Sequence, residues 1–254
     1  MMNLKPFGLV IAFLLTYSAV FSSVEQVNVA KANKAYSAGS FQVAADLYQK
    51  VVDAGFSSPE LFYNMGNACF KMNDYARAIL WYERARRLDP GNEDIAFNLN
   101  VTNTKISDKI EPLPELFYKR WFNNLVQVFP VDTWAMMCVC LFITGLLGIV
   151  LYLASRVLVL RKIGFWAASA FFILSFFSFI IAWNGYRYVK SASEAVVFAP
   201  TITVKSSPDE KSTDLFVLHE GSKVTLLDQI SDWYEIRIAN GSVGWLPKKT
   251  LEKI

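Results

Sequence analysis

The sequence is poor in the residues that most catalytic and metal sites require. It contains one histidine, His219, and three cysteines in 254 residues. A single histidine excludes zinc sites built on several histidines and any catalytic triad that needs a second one. Three cysteines do not make a disulfide framework, and two of them lie inside an apolar run, where cysteine acts as a small apolar residue. We therefore expect no enzymatic activity, no metal site and no cofactor.

An extended basic surface is also lacking in both polar parts of the chain. Residues 25–110 hold ten Lys or Arg against ten Asp or Glu, and residues 191–254 hold seven against nine. The small net positive charge comes from residues 111–190. Because nucleic-acid binding needs a basic face that neutralises phosphates, we expect no nucleic-acid partner.

Two long apolar runs, Trp134–Ala154 and Ile163–Trp183, contain no charged residue. A helix rises about 1.5 Å per residue, so ~20 apolar residues match a hydrocarbon core of roughly 30 Å. The pattern predicts transmembrane helices over 133–155 and 163–184, joined by a short loop at 156–162 and therefore antiparallel. Small residues on both helices predict a packing seam rather than an ion pathway, because no charge lies within the runs.

The orientation of this hairpin follows from its flanking charges and from the first residues of the chain. The 156–162 loop carries Arg156, Arg161 and Lys162, which the positive-inside rule places in the cytoplasm. Residues 1–23 have the apolar core and following small residues of a signal peptide. Whether this segment is cleaved or retained as a third anchor, the chain that follows it is predicted to lie outside the cytoplasm.

An internal repeat of 34 residues occupies the first polar part of the chain, 24–109. The copies cover 25–58 and 59–92, and 93–109 supplies one capping helix. Gly66 and Ala78 are small where two helices of a repeat approach each other, and Pro90 ends the second helix. The second copy, 59–92, strongly resembles the tetratricopeptide repeat. The resemblance implies an all-α solenoid with an inner groove.

The groove positions of such repeats are rich in asparagine and aromatic residues here. Amides on successive helices suit the backbone of an extended peptide, and aromatic rings suit its side chains. Val29 and Asp94 stand where the carboxylate-clamp type of repeat has lysines, so a C-terminal carboxylate is not the expected ligand. Alternatively, the asparagines only solvate the surface or cap neighbouring groups. The candidate partner-binding residues are Asn33, Tyr36, Tyr63, Asn64, Asn67, Phe70, Lys71 and Asn98.

The segment 110–132 is predicted to be a linker followed by an interfacial helix. Glu111-Pro112-Leu113-Pro114 interrupts any helix. Beyond it, Phe117, Trp121, Leu125 and Phe129 share one face, which favours a helix lying in the membrane surface with Lys119 and Arg120 towards the headgroups.

Short β-rich runs separated by turn signals fill residues 192–254. Asn240-Gly241 predicts a tight hairpin. The pattern resembles the bacterial SH3-type domain and implies an all-β barrel. Trp233 and Trp245 are predicted to pack its core, whereas Phe216, His219 and Tyr234 are candidates for a ligand-binding rim. His219 is alternatively only a turn residue.

Composition agrees with three modest pieces rather than one large core. The resemblances above imply a tetratricopeptide solenoid and an SH3-like barrel, and the apolar runs predict a two-helix transmembrane hairpin between them. This order resembles the E component of the Bat (Bacteroides aerotolerance) proteins, most closely over Leu80–Pro90, Asp94–Ile110 and 216–221. The resemblance implies a multi-pass protein of a bacterial inner membrane with both terminal domains in the periplasm. It also implies partner membrane proteins with von Willebrand factor A domains, indirectly a MoxR-type ATPase, and a role in oxidative-stress tolerance and envelope integrity.

Two functions from different classes follow. The first is a non-enzymatic membrane scaffold that binds partner proteins through the repeat groove. The alternative is a membrane-anchored module that binds peptidoglycan through the SH3-type domain, for which an exposed aromatic groove around Tyr234 and Phe216 would be needed. A cleft joining His219 to acidic neighbours would favour an enzyme instead.

Overall fold

The computed structural model describes residues 28–114, 116–126, 128–190 and 193–254. The predicted signal segment, 1–23, lies outside them. Helices come first and strands last. The helices are α1 (28–37), α2 (Phe41–Asp53), α3 (Pro59–Lys71), α4 (Tyr75–Leu88), α5 (Glu93–Asn103), α6 (Phe117–Val126), α7 (Val131–Ala154) and α8 (Leu158–Lys190). The strands are β1 (Glu194–Val197), β2 (Thr201–Lys205), β3 (Asp214–His219), β4 (Lys223–Ile230), β5 (Trp233–Arg237), β6 (Val243–Pro247) and β7 (Leu251–Lys253).

Helices α1 to α5 are the predicted helical repeats. The side chains of Ser58, Asp74 and Asn92 accept backbone N–H groups at the starts of α3, α4 and α5, which satisfies donors that have no partner within the helix. The turns after α1 and α3 repeat as well. Gly39 and Asn73, 34 residues apart, both take the left-handed conformation that glycine and asparagine tolerate best.

The repeat core depends on close contact between α3 and α4. A Cβ built on Gly66 would lie 2.6 Å from Cδ1 of Tyr82, so only glycine allows this ring to pack against α3. Tyr48 and Tyr82 are almost fully buried at equivalent positions of the two copies. The tetratricopeptide-like region predicted from the 34-residue period is therefore helical and packed as expected.

Helices α7 and α8 pack against each other and are each long and apolar enough to cross a membrane. The seam contains small residues, as predicted: a Cβ built on Gly148 would lie 3.0 Å from the Cβ of Ala168. Ser178 donates to the backbone carbonyl of Trp134 at 2.7 Å. Such bonds satisfy hydroxyl groups where water is scarce.

The connector between these helices is shorter than the sequence analysis predicts. Helix α8 already begins at Leu158, so three residues, 155–157, separate it from α7. Arg161 and Lys162 lie on the first turns of α8, and the guanidinium of Arg161 is 5.2 Å from the ring of Tyr152. Helix α8 also continues past Trp183 to Lys190. Apolar composition located the runs but not the helix ends, because the charged flanks are also helical.

The strands form one antiparallel sheet in the order β3-β2-β6-β5-β4-β1-β7. No ladder joins the edge strands β3 and β7 among the described pairings, so the predicted closed barrel is wrong and the sheet is open. The sheet is nevertheless curled, because strands from both ends of it bury residues in one core. Examples are Leu218 of β3 and Ala195 of β1. The hairpin at Asn240-Gly241 is confirmed, with Gly241 in the left-handed conformation.

The two tryptophans do not fill this core as the sequence analysis predicts. Trp233 and Trp245 are only half-buried, and the core contains Ile236 and Leu246 instead. Successive residues of a strand point to opposite faces, so Trp233 is one position out of phase with Tyr234 and Ile236. The ladder pairs Tyr234 with Leu246, which places Tyr234 on the core side.

Segment 104–114 and helix α6 connect these parts. The side chain of Ile110 packs against the sheet core, and the N–H of Leu113 donates to Ala239 O at 3.1 Å. Helix α6 is amphipathic, as predicted, and exposes Phe117 and Trp121. Its last residue accepts a bond of 3.2 Å from the indole N–H of Trp134, which attaches α6 to the hairpin. The predicted headgroup contacts of Lys119 and Arg120 concern side chains outside the described part.

The helical repeats and the sheet contact each other, which the sequence analysis does not predict. Val196 and Ile254 belong to the repeat core, and Ile106 lies against Gly221. We call this contact the domain interface. It joins residues more than 100 positions apart, so no local pattern indicated it.

Candidate functional site

The inner surface of the helical repeats contains a cavity of about 300 Å³, which we call the groove cavity. Helices α1, α3, α4 and α5 supply its walls. Aromatic rings form much of the wall, with amide groups and one lysine between them. The lining residues are Tyr36, Tyr63, Asn67, Phe70, Lys71, Tyr82, Asn98 and Val101.

Six of the eight predicted groove residues line this cavity, namely Tyr36, Tyr63, Asn67, Phe70, Lys71 and Asn98. Asn33 and Asn64 are not part of its lining. The sequence analysis missed Tyr82 and Val101. Val101 lies one helical turn after Asn98, a spacing that predicts a shared face.

Hydrogen bonds hold several of the groove polar groups to one another. The amide nitrogen of Asn98 donates to the hydroxyl of Tyr63 at 2.9 Å and to Oδ1 of Asn67 at 3.0 Å. The hydroxyl of Tyr82 donates to the same Oδ1 at 2.7 Å. Asn67 therefore serves as an internal acceptor, as the alternative interpretation of the asparagines expects, while the amide nitrogen of Asn67 keeps its donor capacity.

The first copy repeats this arrangement. The hydroxyl of Tyr48 donates to Oδ1 of Asn33 at 2.5 Å, and both pairs are separated by 15 residues. Burial raises the pKa of Tyr48 to about 12 and that of Tyr82 further, so both hydroxyls remain protonated donors at neutral pH. The tyrosines thereby orient one asparagine in each copy, and the asparagine of the second copy, Asn67, lines the groove cavity.

Lys71, at the last turn of α3, is the charged residue in the lining of the groove cavity. Its side chain is exposed, whereas the neighbouring Phe70 is half-buried and meets the ring of Tyr75 at 5.7 Å. An ammonium group beside aromatic walls suits a ligand with an acidic or carbonyl group next to an apolar one.

The three candidate rim residues of the sheet do not form one groove. Phe216 lines a cavity of about 440 Å³ with Ile110 and Asn240, between the linker and β3. Tyr234 faces the core side of β5, and the ammonium groups of Lys248 and Lys253 lie 5.4 Å and 5.0 Å from its ring centroid. The aromatic groove expected around Phe216 and Tyr234 is thus not seen among the described residues.

His219 contacts the linker instead of a ligand. Its backbone N–H and Nδ1 bond the two carboxylate oxygens of Asp108 at 2.8 Å and 2.7 Å, and the hydroxyl of Ser222 donates to the same carboxylate. Burial raises the pKa of Asp108, but the bonds from Ser222 and His219 outweigh it, so this pKa lies below its ordinary value. His219 is therefore part of the domain interface.

Charged groups complete the domain interface. The ammonium of Lys223 lies 3.1 Å from Oε2 of Glu83 and 2.9 Å from Oε1 of Glu194, and Arg87 donates to Oε2 of Glu194 at 3.2 Å. Arg84 contacts Glu252 at 3.1 Å. Burial raises the pKa of Glu194, but the charge of Lys223 and the bonds from Lys223, Arg87 and Tyr188 hold it below its ordinary value. Within the described residues, no group of three or more His, Cys, Asp or Glu is placed to hold a metal ion.

Comparison with protein families identifies two of the parts. The family model for the tetratricopeptide repeat matches residues 59–92, which is the second copy predicted from the sequence. The family model for the bacterial SH3 domain matches residues 200–252. No curated protein matches the chain. The chain thus contains a repeat type associated with protein–protein interaction and a domain type associated with cell-wall binding.

Proposed function

We propose that this protein is a non-enzymatic adaptor, anchored in a bacterial inner membrane, that binds an extended segment of a partner protein in the groove cavity. The observation that carries the proposal is the composition of this cavity. Its aromatic walls offer apolar contact area at low entropic cost, and the amide of Asn67 and the ammonium of Lys71 offer donors to a peptide backbone. The groove polar groups are already oriented by Tyr82 and Tyr63, which lowers the cost of ordering on binding.

The partners we propose are membrane proteins with von Willebrand factor A domains, and indirectly a MoxR-type ATPase in the cytoplasm. A role in oxidative-stress tolerance and envelope integrity belongs to the same proposal. Its support is the resemblance to the E component of the Bat proteins. The two long apolar helices support the membrane location, and the basic residues around the α7–α8 connector support a periplasmic location for both polar parts.

The groove is tested by replacing Phe70 and Lys71 together with alanine in the full-length protein. Losing a central aromatic contact at an interface typically costs about 2 kcal/mol or more, so partner affinity should fall by about 30-fold or more. Photo-crosslinking in membranes, followed by mass spectrometry, identifies the partner, and titration with the purified partner measures the affinity. The matched control is Lys105→Ala, which removes an exposed lysine that does not line the cavity.

A folded double variant that keeps the partner, while Phe216→Ala loses it, would assign recognition to the SH3-type domain instead. Deletion of residues 192–254 is not a clean comparison. It would remove Val196 and Ile254 from the repeat core.

Peptidoglycan binding is the second candidate function, favoured by the bacterial SH3 match over 200–252 and by the cavity that Phe216 lines. Sedimentation of the detergent-solubilised protein with purified sacculi tests it. Binding that Phe216→Ala abolishes and that Phe70→Ala with Lys71→Ala leaves intact would support a cell-wall function.

A further inference from the structure

A second cavity, of about 420 Å³, lies where α4 of the repeats meets α6 and the adjoining ends of α7 and α8. We call it the juxtamembrane cavity. Its walls are mostly apolar, and two arginines of α4, Arg86 and Arg87, also line it. The apolar lining includes Phe122, Val126, Phe129, Val131 and Val189.

The position of this cavity along α8 matches the headgroup layer of a bilayer. The charge-free apolar run ends at Trp183, and the next residues of α8, Asn184, Gly185 and Val189, line the cavity. At about 1.5 Å per residue, they lie within ~9 Å of the end of the apolar run. The polar layer on each side of a roughly 30 Å hydrocarbon core is about 5–8 Å thick, so Asn184 and Gly185 lie within it and Val189 lies at its outer edge.

Arg87 is a buried cation with one donor unused. Its side chain is 7% exposed. Its Nη1 donates to the backbone carbonyl of Ile254 at 2.6 Å and its Nη2 to Glu194 at 3.2 Å. Its Nε–H is buried and finds no acceptor in the part of the chain that the structure describes. An unpaired buried donor on a charged group is costly, so negative charge placed beside the guanidinium of Arg87 stabilises it.

The charged residues that line the cavity also suit an anion. Arg86 and Arg87 line it, and no carboxylate does so among the described residues. Their carboxylate partners, Glu83 and Glu194, lie outside the lining.

We propose that the juxtamembrane cavity binds the headgroup of an anionic phospholipid from the bilayer that α7 and α8 cross. The phosphodiester lies beside the guanidinium groups of Arg86 and Arg87, whose charges attract it, and the glycerol backbone and first methylenes contact Phe122, Val126 and Phe129. The apolar walls and the level of the cavity favour a lipid over free phosphate. The inference rests on the proposed membrane location and is independent of the groove cavity.

The test uses the full-length protein, delipidated in a mild detergent and offered phosphatidylglycerol, phosphatidylcholine or inorganic phosphate. Native mass spectrometry counts the lipids that remain bound. Both lipids carry a phosphodiester, but phosphatidylcholine adds a quaternary ammonium that Arg86 and Arg87 repel. The protein should therefore retain phosphatidylglycerol about tenfold better than phosphatidylcholine.

Two variants should remove this preference, Arg86→Gln by losing a cation and Val189→Trp by filling the cavity with all charges kept. Arg84→Gln is the matched control, because Arg84 lies on the same helix and in the same network but does not line the cavity. It should retain the preference. Arg87→Gln is informative only together with these variants, because Arg87 also holds the domain interface.

Equal retention of the two lipids by the unmodified protein would overturn the proposal, and so would a preference that survives both variants or is lost in Arg84→Gln. Binding of inorganic phosphate that displaces phosphatidylglycerol would assign the site to free phosphate. Alkaline carbonate extraction tests the proposed membrane location separately, since a protein that crosses the bilayer stays in the membrane pellet.

Discussion

At the scale of single residues, an asparagine–tyrosine pair 15 positions apart recurs in both copies. Asn33 accepts from Tyr48 and Asn67 accepts from Tyr82, and each tyrosine lies in the core, but only the second pair lines the groove cavity. The 34-residue spacing of Tyr48 and Tyr82 is visible in the sequence. The bonds themselves are not, because they depend on how two helices face each other.

Replacing Gly66 with alanine should destabilise the protein, because the new Cβ would lie 2.6 Å from Cδ1 of the buried Tyr82. Overpacking of this kind costs about 1–3 kcal/mol. Urea unfolding of the full-length protein in detergent, followed by the helical signal in circular dichroism, measures the loss. Ala54→Leu, at an exposed helix end, is the control and should stay within about 0.5 kcal/mol. A Gly66→Ala midpoint equal to the unmodified one would contradict the close packing of α3 on α4.

Replacing Tyr82 with phenylalanine removes the donor to Asn67 and should cost about 0.5–1.5 kcal/mol of stability. The control is Tyr75→Phe on the same helix, whose hydroxyl makes an exposed local bond to Asn73 at 2.9 Å. The same unfolding experiment should rank Tyr82→Phe as clearly the less stable. Equal losses would mean that the groove bond adds nothing to stability.

At the scale of elements, α4 has two functions on its two faces. One face gives Tyr82 to the groove, and the other gives Glu83, Arg84 and Arg87 to the domain interface. Because a helix has 3.6 residues per turn, residues that are adjacent in the sequence lie on different faces and contact different parts of the protein. Helix α4 is therefore shared by the groove wall and the domain interface.

Glu194→Gln should loosen the domain interface, because it leaves Arg87 buried without its carboxylate. Breaking a buried ion pair from one side costs about 3 kcal/mol or more. Hydrogen exchange of the full-length protein should show faster exchange in β1 and in the last turns of α4. Arg77→Gln breaks an exposed pair with Asp74 and should change stability by no more than about 1 kcal/mol. If exchange in β1 is unchanged by Glu194→Gln, the ion network does not hold the interface.

The contribution of the Asp108 and Glu194 carboxylates to the domain interface should weaken in acid. The pKa values of Asp108 and Glu194 lie below the ordinary 3.8 and 4.5. A lowered pKa adds stability that is complete above the ordinary value and is lost as the pH falls through the lowered one. The stability difference between the unmodified protein and Glu194→Gln should therefore be constant from about pH 7 to 5 and shrink below about pH 4. A difference that already shrinks between pH 7 and 6 would contradict this assignment.

At the scale of the whole molecule, an antiparallel helix pair places both polar parts on one side of any membrane it crosses. That arrangement is what allows the repeats and the sheet to form the domain interface. If the two polar parts lay on opposite sides of a membrane, Arg87 could not contact Glu194 and Asp108 could not contact His219.

Reporter insertions should reveal this topology. A reporter after Lys109 or after Ile254 should be active outside the cytoplasm, and one at Arg156, in the short connector, should be active inside it. Reporters at the first two sites with opposite locations would disprove the hairpin. The same location for all three would show that α7 and α8 do not cross the bilayer.

The sequence by itself determined the repeat, the apolar helix pair and the Asn240-Gly241 hairpin. Of the eight groove residues predicted from the sequence, six line the groove cavity. These features depend on local periods, and a period of 34, a run of about 20 apolar residues or a two-residue turn is set by the chain itself. The tertiary structure alone decided that the sheet is open, that Trp233 and Trp245 lie outside its core, and that His219 holds Asp108. It also decided that Arg87 is buried between Glu194 and the juxtamembrane cavity. These features join residues more than 100 positions apart or depend on strand phase, and their energies come from burial that no local segment of the chain provides on its own.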